Sequence, residues 1–403
     1  MVQNSIVLDL KSNTRQIILA GVIGNVIEWY DFALFGYFTP VLSTLFFPSE
    51  NITISLLETY GVFAAGFVMR PIGAGIFGYI GDRIGRREEL FLSVILMAIP
   101  TVLLGLMPSY RQIGIVAPLL LILLRLVQGL SVGGEFTGSI TYITETAPQN
   151  LRGFTASFGS VGATTGILLG SGTAALVTTL LPESSVMAWG WRLPFLAGGL
   201  LGSIGVYIRR GLPDSQVFQE HHTANTISLQ SALTQHLGSM LQATLVSSGF
   251  GAVFYIVLVY LPTYLNHITT VTLSQALQLN TVMLVLVIIM APLMGWVSDR
   301  FVRRKPLLFI AMISLVVISY PAFLWLNQSQ IIWVWLAHIS FALLIGTLAG
   351  TLSATFVELF PTEARLTGYS VSYNLGLGII GGTAPLMATW LIHTTKNVYS
   401  PGR

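Results

Sequence analysis

The sequence contains no cysteine and few charged residues. Of its 403 residues, 9% are charged, against roughly 25% in an ordinary soluble domain. The absence of cysteine excludes disulfides and thiolate metal sites, and we expect no metal and no cofactor. With 53% apolar residues, most of the chain must be surrounded by lipid, which excludes a soluble fold. Nucleic acid binding has no support despite the formal net charge of +3, because the basic residues lie in short loops between apolar runs.

The apolar residues form runs long enough to cross a membrane. A bilayer core about 30 Å thick needs about 20 apolar residues as a helix, because lipid offers no hydrogen-bond partner to an open backbone. Eleven segments qualify, numbered here as spans 1 to 11, and the first is too long for the apolar core of a signal peptide. They lie near residues 16–47, 56–80, 88–107, 114–144, 153–180, 189–208, 238–265, 274–298, 306–326, 331–359 and 366–393. The sequence therefore predicts an all-α polytopic membrane protein.

Most basic residues lie in loops on one side of the membrane when the spans are placed in alternating directions. Arg83, Arg210 and Arg303 lie in loops on that side, whereas the opposite side holds mainly Arg111 and Arg192. By the positive-inside rule, we expect the N-terminus and the loop after span 6 to be cytoplasmic. An ATP-driven pump would need a Gly-x-x-x-x-Gly-Lys-Ser/Thr loop, which the sequence lacks, and we expect no enzymatic activity.

Two loop motifs occur twice in the chain. Gly81-Asp82-Arg83-Ile84-Gly85-Arg86-Arg87 follows span 2, and Ser298-Asp299-Arg300-Phe301-Val302-Arg303-Arg304 follows span 8; Glu145-x-x-Pro148-x-x-x-Arg152 ends span 4, and Glu358-x-x-Pro361-x-x-x-Arg365 ends span 10. Both pairs have nearly the same separation, which predicts two six-helix halves related by an axis along the membrane normal. The expected division is residues 1–208 and 238–403, joined by a cytoplasmic loop over 209–237. A twelfth helix would be expected after span 11 but is not visible.

These loops have two interpretations. They can simply orient the chain, or an Asp beside several Arg can form a charge network that closes the cytoplasmic side in one conformation and breaks in another. We favour gating, and assign it to ten residues: Asp82, Arg83, Arg86, Arg87, Glu145, Arg152, Asp299, Arg300, Glu358 and Arg365.

Five ionisable residues lie deep within spans: Glu28 and Asp31 on span 1, Arg70 on span 2, and Arg125 and Glu135 on span 4. A charge at that depth costs at least about 2.5 kcal/mol, so each should face a cavity and have a partner. One alternative is that they only form ion pairs that fix the packing of spans 1, 2 and 4. The other is that one carboxylate carries a coupled proton while an arginine tunes its proton affinity or holds a substrate carboxylate.

The carboxylates can be ranked by position. Glu28 and Asp31 lie about one helical turn apart, and like charges so close cannot both stay ionised cheaply in a poorly hydrated cavity. We predict that Asp31 carries the proton and that Glu28 pairs with Arg70. Glu135 lies about 15 Å deeper toward the cytoplasm than Arg125, so it is expected to be an exit relay or a packing charge.

Several stretches resemble the metabolite:proton symporter family of the major facilitator superfamily. They are 24–32 (GNVIEWYDF), 69–73 (MRPIG), 81–87, 125–129 (RLVQG), 133–138 (GGEFTG) and 191–195 (WRLPF), with further similarity through 358–374. The resemblance covers nearly the whole chain, is closest to the proline/betaine branch, and implies proton-driven uptake of a small zwitterion or carboxylate across a bacterial inner membrane by a monomer.

Two solute classes remain open. A compatible solute such as proline or betaine could face aromatic side chains through cation–π attraction. A carboxylate of the α-ketoglutarate, citrate or shikimate type would instead be held by Arg70 and Arg125. The solute-binding candidates are Arg70, Arg125, Gln128, Asn25, Trp29, Tyr30, Tyr255, Tyr373 and Asn374.

Overall fold

The computed structural model describes residues 22–83, 86–210, 235–328, 330–361 and 365–402; within these ranges, the side chains of residues 75, 78–83, 86–90, 142, 146, 208–210, 366 and 367 are not described. In this part of the chain, eight helices are long and apolar enough to cross a membrane. Helical segments at 22–46, Arg86–Leu106 and Arg192–Arg210 occupy the positions of the other three predicted spans. The prediction of an all-α polytopic membrane protein is confirmed.

The spans are built from the following helices. Span 1 comprises 22–37 and Thr39–Phe46; span 2 Ile52–Val68 and Arg70–Arg83; span 3 Arg86–Leu106; span 4 Val116–Ser131 and Glu135–Thr146; span 5 Arg152–Leu180; span 6 Arg192–Arg210; span 7 Leu237–Tyr255 and Leu261–Ile268; span 8 Leu273–Arg300; span 9 Arg304–Leu326; span 10 Ile331–Leu359; and span 11 Arg365–Tyr373 and Ala384–Thr395.

Span 4 is not the continuous helix that the sequence predicted. Its first helix ends at Ser131, a turn covers 132–134, and a second helix begins at Glu135. A Cβ at Gly133 would lie 2.1 Å from the backbone nitrogen of Ala74, so the backbones of spans 2 and 4 are in close contact at the turn. The helical path from Arg125 to Glu135 is therefore interrupted by the turn at 132–134.

Two spans contain π-helical segments that the sequence did not predict. Ile256–Tyr260 interrupts span 7 and Asn374–Gly381 interrupts span 11. Such wide turns change the backbone hydrogen-bonding pattern and often occur at functional sites. The carbonyl of Leu258 in the first segment accepts a hydrogen bond from the hydroxyl of Tyr37 on span 1.

Glycines of span 5 allow close contacts with neighbouring helices. A Cβ at Gly166 would lie 2.4 Å from the carbonyl oxygen of Val26, so span 5 packs directly on the backbone of span 1. At the other face of span 5, a Cβ at Gly153 would lie 2.7 Å from the carbonyl oxygen of Gly295 on span 8. Span 5 is therefore held between spans 1 and 8.

The helices pack in a consistent set of pairs. Span 5 lies along span 8, span 3 along span 6, span 7 along span 11, and span 10 along spans 8 and 9. Contacts between spans 5 and 8 join segments from before and after the predicted central loop, most of which lies outside the described residues. The division into two halves stays a prediction.

The contact between spans 2 and 4 gives a stability prediction. A Cβ at Gly129 would lie 1.9 Å from the carbonyl oxygen of Gly66, whereas a Cβ at Gly138, on the same span, has nothing within 4 Å. Overpacking a tight contact costs about 1–3 kcal/mol or more. We expect Gly129→Ala to lower the unfolding temperature in detergent by several degrees, measured by dye-based thermal scanning, and Gly138→Ala to leave it unchanged or raise it. Equal unfolding temperatures would contradict the contact.

Candidate functional site

Asp31 lies at the centre of a buried hydrogen-bonded group. Arg125 Nη1 donates to Asp31 Oδ2 at 3.0 Å, and Gln128 Nε2 and Thr101 Oγ1 donate to Asp31 Oδ1 at 2.9 and 2.5 Å. Asp31 is 2% exposed and Arg125 is fully buried. Three donors from spans 3 and 4 thus converge on one carboxylate of span 1, which offsets part of the cost of burying it.

The second buried carboxylate of span 1 pairs with span 2. Arg70 Nη2 donates to Glu28 Oε1 at 2.8 Å, which is the pairing expected from the sequence. The guanidinium groups of Arg70 and Arg125 lie 5.1 and 4.4 Å from the ring centre of Phe32, so both cations contact one aromatic ring. Glu28, Asp31, Arg70 and Arg125 are called the charge cluster below, and their formal charges cancel.

Glu135 lies next to the charge cluster, on the side of Glu28. Ser93 Oγ on span 3 donates to Glu135 Oε2 at 3.0 Å. A small cavity has Glu28, Ser93 and Glu135 among its lining residues. The turn in span 4 thus directs Glu135 to the same cavity as Glu28.

Aromatic side chains from spans 1, 4, 7 and 11 meet beside the cluster. The Trp29 ring centre lies 5.3 Å from that of Phe254, 6.0 Å from Tyr255 and 6.1 Å from Phe136, and Phe136 stacks on Tyr373 at 5.0 Å. These five rings are called the aromatic chamber, and each is at most 6% exposed. Arg70 lies at its edge, with its guanidinium carbon 5.6 Å from the Trp29 ring centre.

Two polar atoms in the chamber remain unsatisfied. Trp29 Nε1 and the hydroxyl of Tyr255 are buried and have no hydrogen-bond partner among the described residues. An unpaired buried polar group costs about 1–3 kcal/mol. A polar ligand would remove that cost.

Charged contacts link the chain at the end that carries the loop motifs. Asp299 at the end of span 8 accepts hydrogen bonds from the backbone N–H groups of Gly153 and Phe154 on span 5, both at 2.9 Å, and pairs with Arg304 at 2.7 Å. Arg304 also pairs with Glu358, and Arg365 Nη1 donates to Glu145 Oε1 at 2.6 Å. The end that carries these contacts is called the motif end below.

A neutral set of contacts joins spans 1, 5, 7 and 8 away from the motif end. The hydroxyl of Tyr37 donates to the carbonyl oxygen of Leu258 at 2.7 Å, and Asn280 Nδ2 donates to the Tyr37 oxygen at 2.7 Å. Ser171 on span 5 lies 2.9 Å from the Thr281 hydroxyl on span 8. Along span 1, Asp31 of the charge cluster precedes Tyr37 by six residues.

Other predicted site residues lie at the margins of the site. Asn25 Nδ2 donates to Ser139 Oγ at 3.1 Å, and the Tyr30 hydroxyl donates to the Pro194 carbonyl oxygen at 2.7 Å, so Tyr30 is directed toward span 6. Asn374 Nδ2 donates to the Gly133 carbonyl oxygen at 2.8 Å.

The structure describes the side chains of six of the ten predicted gating residues. Glu145, Asp299, Glu358 and Arg365 form the contacts described above, Arg152 begins the helix of span 5, and the Arg300 guanidinium lies over the Trp296 ring at 5.6 Å. The side chains of the other predicted gating residues lie outside the described residues: Asp82, Arg83, Arg86 and Arg87.

Sequence reasoning missed two hydroxyl residues. Thr101 and Ser93 of span 3 bind the carboxylates of Asp31 and Glu135, respectively. Both are polar residues inside an apolar run, which is a weak signal, because a hydroxyl in a helix can equally bond its own backbone. In Thr101, the Met97 carbonyl oxygen lies 2.8 Å from the hydroxyl oxygen and competes with Asp31 for the single hydroxyl hydrogen.

Comparison with known proteins gives the family. A model of the Major Facilitator Superfamily matches residues 22–385. The chain belongs to this superfamily. Its curated relatives include the glycine betaine/proline/ectoine/pipecolic acid transporter OusA of Dickeya dadantii, 33% identical over 399 residues, and the proline/betaine transporter of Escherichia coli K12, 31% identical over 399 residues. Each alignment covers 96% of this chain and 79% of the relative.

Solved superfamily structures share the fold. A crystal structure of a D-xylose-proton symporter matches with a TM-score of 0.77 and 20% identity, over 96% of this chain and 95% of that one. A partially occluded inward-open form of the Escherichia coli xylose transporter XylE matches with a TM-score of 0.74 and 19% identity, over 95% of this chain and 98% of that one. The major facilitator fold predicted from the sequence is confirmed.

The charge cluster gives a prediction for stability. Removing one partner of a buried ion pair costs about 3–5 kcal/mol, because the other charge stays buried without its partner. We expect Arg125→Gln to lower the unfolding temperature in detergent more than the double variant Asp31→Asn/Arg125→Gln, which removes both charges. As a control, Arg365→Gln breaks the exposed pair with Glu145 and should cost about 0–1 kcal/mol. A double variant that is less stable than Arg125→Gln would contradict a coupled pair.

Proposed function

We propose that the protein is a proton-coupled symporter that imports a small zwitterionic solute of the proline or betaine type by alternating access. The observation that carries this proposal is the charge cluster, which lies buried beside an aromatic chamber. The solute class is supported by the names of the curated relatives, which are proline and betaine transporters. The membrane is proposed to be the bacterial inner membrane, with the N-terminus in the cytoplasm and the monomer as the working unit.

Asp31 is the proposed proton carrier. Its carboxylate is the acceptor for Arg125, Gln128 and Thr101, so adding a proton would weaken three contacts between span 1 and spans 3 and 4. Protonation would therefore release span 1 and favour a different arrangement of the spans. Glu28 is proposed to fix Arg70, and Glu135 to pass the proton on through the cavity that it shares with Glu28.

A carboxylate symporter is the less favoured alternative. Arg70 and Arg125 would have to hold the anion, but each already pairs with a carboxylate of span 1. A dianion such as a dicarboxylate would therefore bring surplus negative charge to a cluster that is formally neutral. A zwitterion adds no net charge and fits the cluster as it stands.

The two sets of contacts are proposed to act as alternating gates between two halves, 1–208 and 238–403. In this scheme, the charged contacts of the motif end close the cytoplasmic side, and the Tyr37–Asn280 contacts close the outer side. The two sets must break in turn, since breaking both would open a path across the membrane.

The proton-carrier proposal predicts separable transport modes. In proteoliposomes, a protonophore should abolish accumulation of radiolabelled betaine but leave exchange of preloaded betaine intact. Asp31→Asn should likewise abolish gradient-driven accumulation and keep counterflow at a substantial rate, because a neutral amide cannot carry a proton. Glu28→Gln should reduce both modes, because it leaves the buried Arg70 without its carboxylate.

Two results would contradict this scheme. Accumulation that persists with the protonophore and follows a sodium gradient would exclude proton coupling. Accumulation near the wild-type rate in both Asp31→Asn and Glu28→Gln would place the proton site elsewhere, with Glu135 the next carboxylate to substitute.

The gating proposal predicts a conformational shift for Asp299→Asn. The substitution weakens the hydrogen bonds from the N–H groups of Gly153 and Phe154, and it removes the ion pair with Arg304. The motif end should therefore open more often. The chain has no cysteine, so Ser160→Cys gives a clean reporter between spans 5 and 10, where Ser160 Oγ lies 3.1 Å from Ser353 Oγ.

The measurement is the rate of labelling of that cysteine by a maleimide in inside-out vesicles. We expect Asp299→Asn to raise this labelling rate severalfold, with little change in the equilibrium affinity for the solute. Tyr37→Phe, which loosens the opposite contacts, should not raise it and serves as the control. A large loss of affinity with an unchanged labelling rate would show that Asp299 belongs to the solute site instead of a gate.

A further inference from the structure

The Asp31 carboxylate contacts three donor groups, and they differ in whether they can also accept a hydrogen bond. Arg125 Nη1 lies 3.0 Å from Oδ2, while Gln128 Nε2 and Thr101 Oγ1 lie 2.9 and 2.5 Å from Oδ1. Guanidinium and amide N–H groups only donate, whereas a hydroxyl donates one hydrogen and accepts two. In the part of the chain that the structure describes, Thr101 is therefore the one contact of this carboxylate that can accept a hydrogen bond from a protonated Asp31.

The Thr101 hydroxyl has partners for either direction of this bond. When Asp31 is ionised, the hydroxyl hydrogen is donated to Oδ1. When Oδ1 carries a proton, that proton can be donated to Thr101 Oγ1, and the hydroxyl hydrogen can turn to the Met97 carbonyl oxygen, which lies 2.8 Å away. Gln128 Nε2 lies 3.0 Å from Oγ1, so the hydroxyl then donates one hydrogen bond and accepts two. Only hydrogen atoms need to move.

Packing holds the Thr101 hydroxyl in place for this exchange. Thr101 and Asp31 are both 2% exposed. A Cβ at Gly198 would lie 2.8 Å from Thr101 Cγ2, so the methyl group packs against the backbone of span 6. The methyl group and the hydroxyl oxygen turn together about one bond, which is stiff in a β-branched side chain. Contact with span 6 therefore fixes the oxygen between Asp31 and Met97.

The other carboxylate oxygen and the neighbouring charges offer no such acceptor. Oδ2 faces the Arg125 guanidinium, and a proton on Oδ2 would displace that bond or lie without an acceptor among the described residues. Arg70, the other buried cation, pairs with Glu28 one helical turn from Asp31 on span 1, and its guanidinium only donates. Span 3 contributes a neutral side chain, Thr101, to this carboxylate. The position of Thr101 therefore decides which oxygen takes the proton.

We propose that Asp31 is protonated at Oδ1 and that Thr101 is a positioning residue whose hydrogen bond to Asp31 reverses when the proton arrives. This inference rests on the proposed role of Asp31 as proton carrier, and it names the atom that holds the proton. Charge-assisted hydrogen bonds are roughly twice as strong as neutral ones. Protonation therefore weakens the bonds from Arg125 and Gln128 on span 4, while Thr101 keeps a neutral bond to Asp31. Span 1 loosens from span 4 and stays attached to span 3.

The test compares the cost of Thr101→Val in three backgrounds of the full chain, measured as the unfolding temperature in detergent. Valine keeps the methyl contact with Gly198 but has no hydroxyl. Asp31→Asn places an amide N–H where a protonated carboxyl holds its proton, because Arg125 faces the remaining oxygen, and Asp31→Ala removes both groups. We expect Thr101→Val to lower the unfolding temperature by several degrees in the wild type and by about half as much with Asp31→Asn. With Asp31→Ala, the loss should not exceed that of the control.

Two further variants separate hydrogen bonding from packing. Thr101→Ser keeps the hydroxyl and loses the methyl group, so it should retain most of the stability that Thr101→Val loses. The matched control is Thr59→Val, because Thr59 is also buried but donates to the Ser55 carbonyl oxygen of its own helix at 2.8 Å. It should give the same small change in all three backgrounds.

The outcomes separate this inference from the proposed function. A cost of Thr101→Val that is present in the wild type and absent with Asp31→Asn would show that Thr101 only donates, which overturns the inference and leaves proton coupling in place. An equal cost in all three backgrounds, or Thr101→Ser less stable than Thr101→Val, would show a packing role and overturn it as well. Accumulation that is insensitive to a protonophore would overturn the proposed function and, with it, the role of Thr101 in transport.

A second measurement applies if an Asp31 variant does not fold. The unfolding temperatures of the wild type, Thr101→Val and Thr101→Ser are then compared at pH values on both sides of the pH midpoint of accumulation. We expect Thr101→Val to be less stable than Thr101→Ser on both sides. A difference confined to the alkaline side, where Asp31 is ionised, would overturn the inference.

Discussion

A charge in the middle of a membrane is stable only beside its partner, and spans 1 to 4 are arranged around two such pairs. Span 1 supplies both carboxylates, Glu28 and Asp31, while the two arginines come from spans 2 and 4. The ring of Phe32 lies within cation–π distance of both guanidinium groups. Each pair must therefore form for either span to pack, so the neutrality of the cluster is a condition of the fold as much as of transport.

The two sets of contacts that are proposed as gates differ in chemistry. The motif end uses carboxylates, guanidinium groups and helix N–H groups, as in the contacts of Asp299 with Gly153 and Phe154. The other set uses neutral hydroxyl and amide groups around Tyr37 and Asn280. Moving neutral groups between water and the protein interior costs less free energy than moving charges. Charged groups at a membrane face respond to salt and to the surface potential. The two gates, if they act as proposed, would therefore respond to different conditions.

Sequence reasoning predicted the features that depend on composition and on local spacing. The spans follow from hydropathy, and the Glu28–Arg70 pair follows from the cost of isolated charges in lipid. The sequence could not predict which arginine binds Asp31, because that depends on the rotation of span 4 about its axis. Nor could it predict the turn at 132–134 or the π-helical segments of spans 7 and 11, since these arise from tertiary contacts such as that of Gly133 with Ala74.

Arg70 connects the charge cluster with the aromatic chamber. Its Nη2 atom binds Glu28, while its guanidinium carbon lies 5.6 Å from the Trp29 ring centre at the edge of the chamber. On the proposed mechanism, a solute carboxylate that arrives beside Trp29 competes with Glu28 for this arginine. If Arg70 binds Glu28 less tightly, the electrostatic potential at Asp31, one helical turn away, changes. The affinity of Asp31 for a proton then changes with it. Because such coupling is reciprocal, a proton on Asp31 must change the affinity for solute by the same factor, so the pairing of two arginines with two carboxylates on one helix is sufficient to link the two ligands.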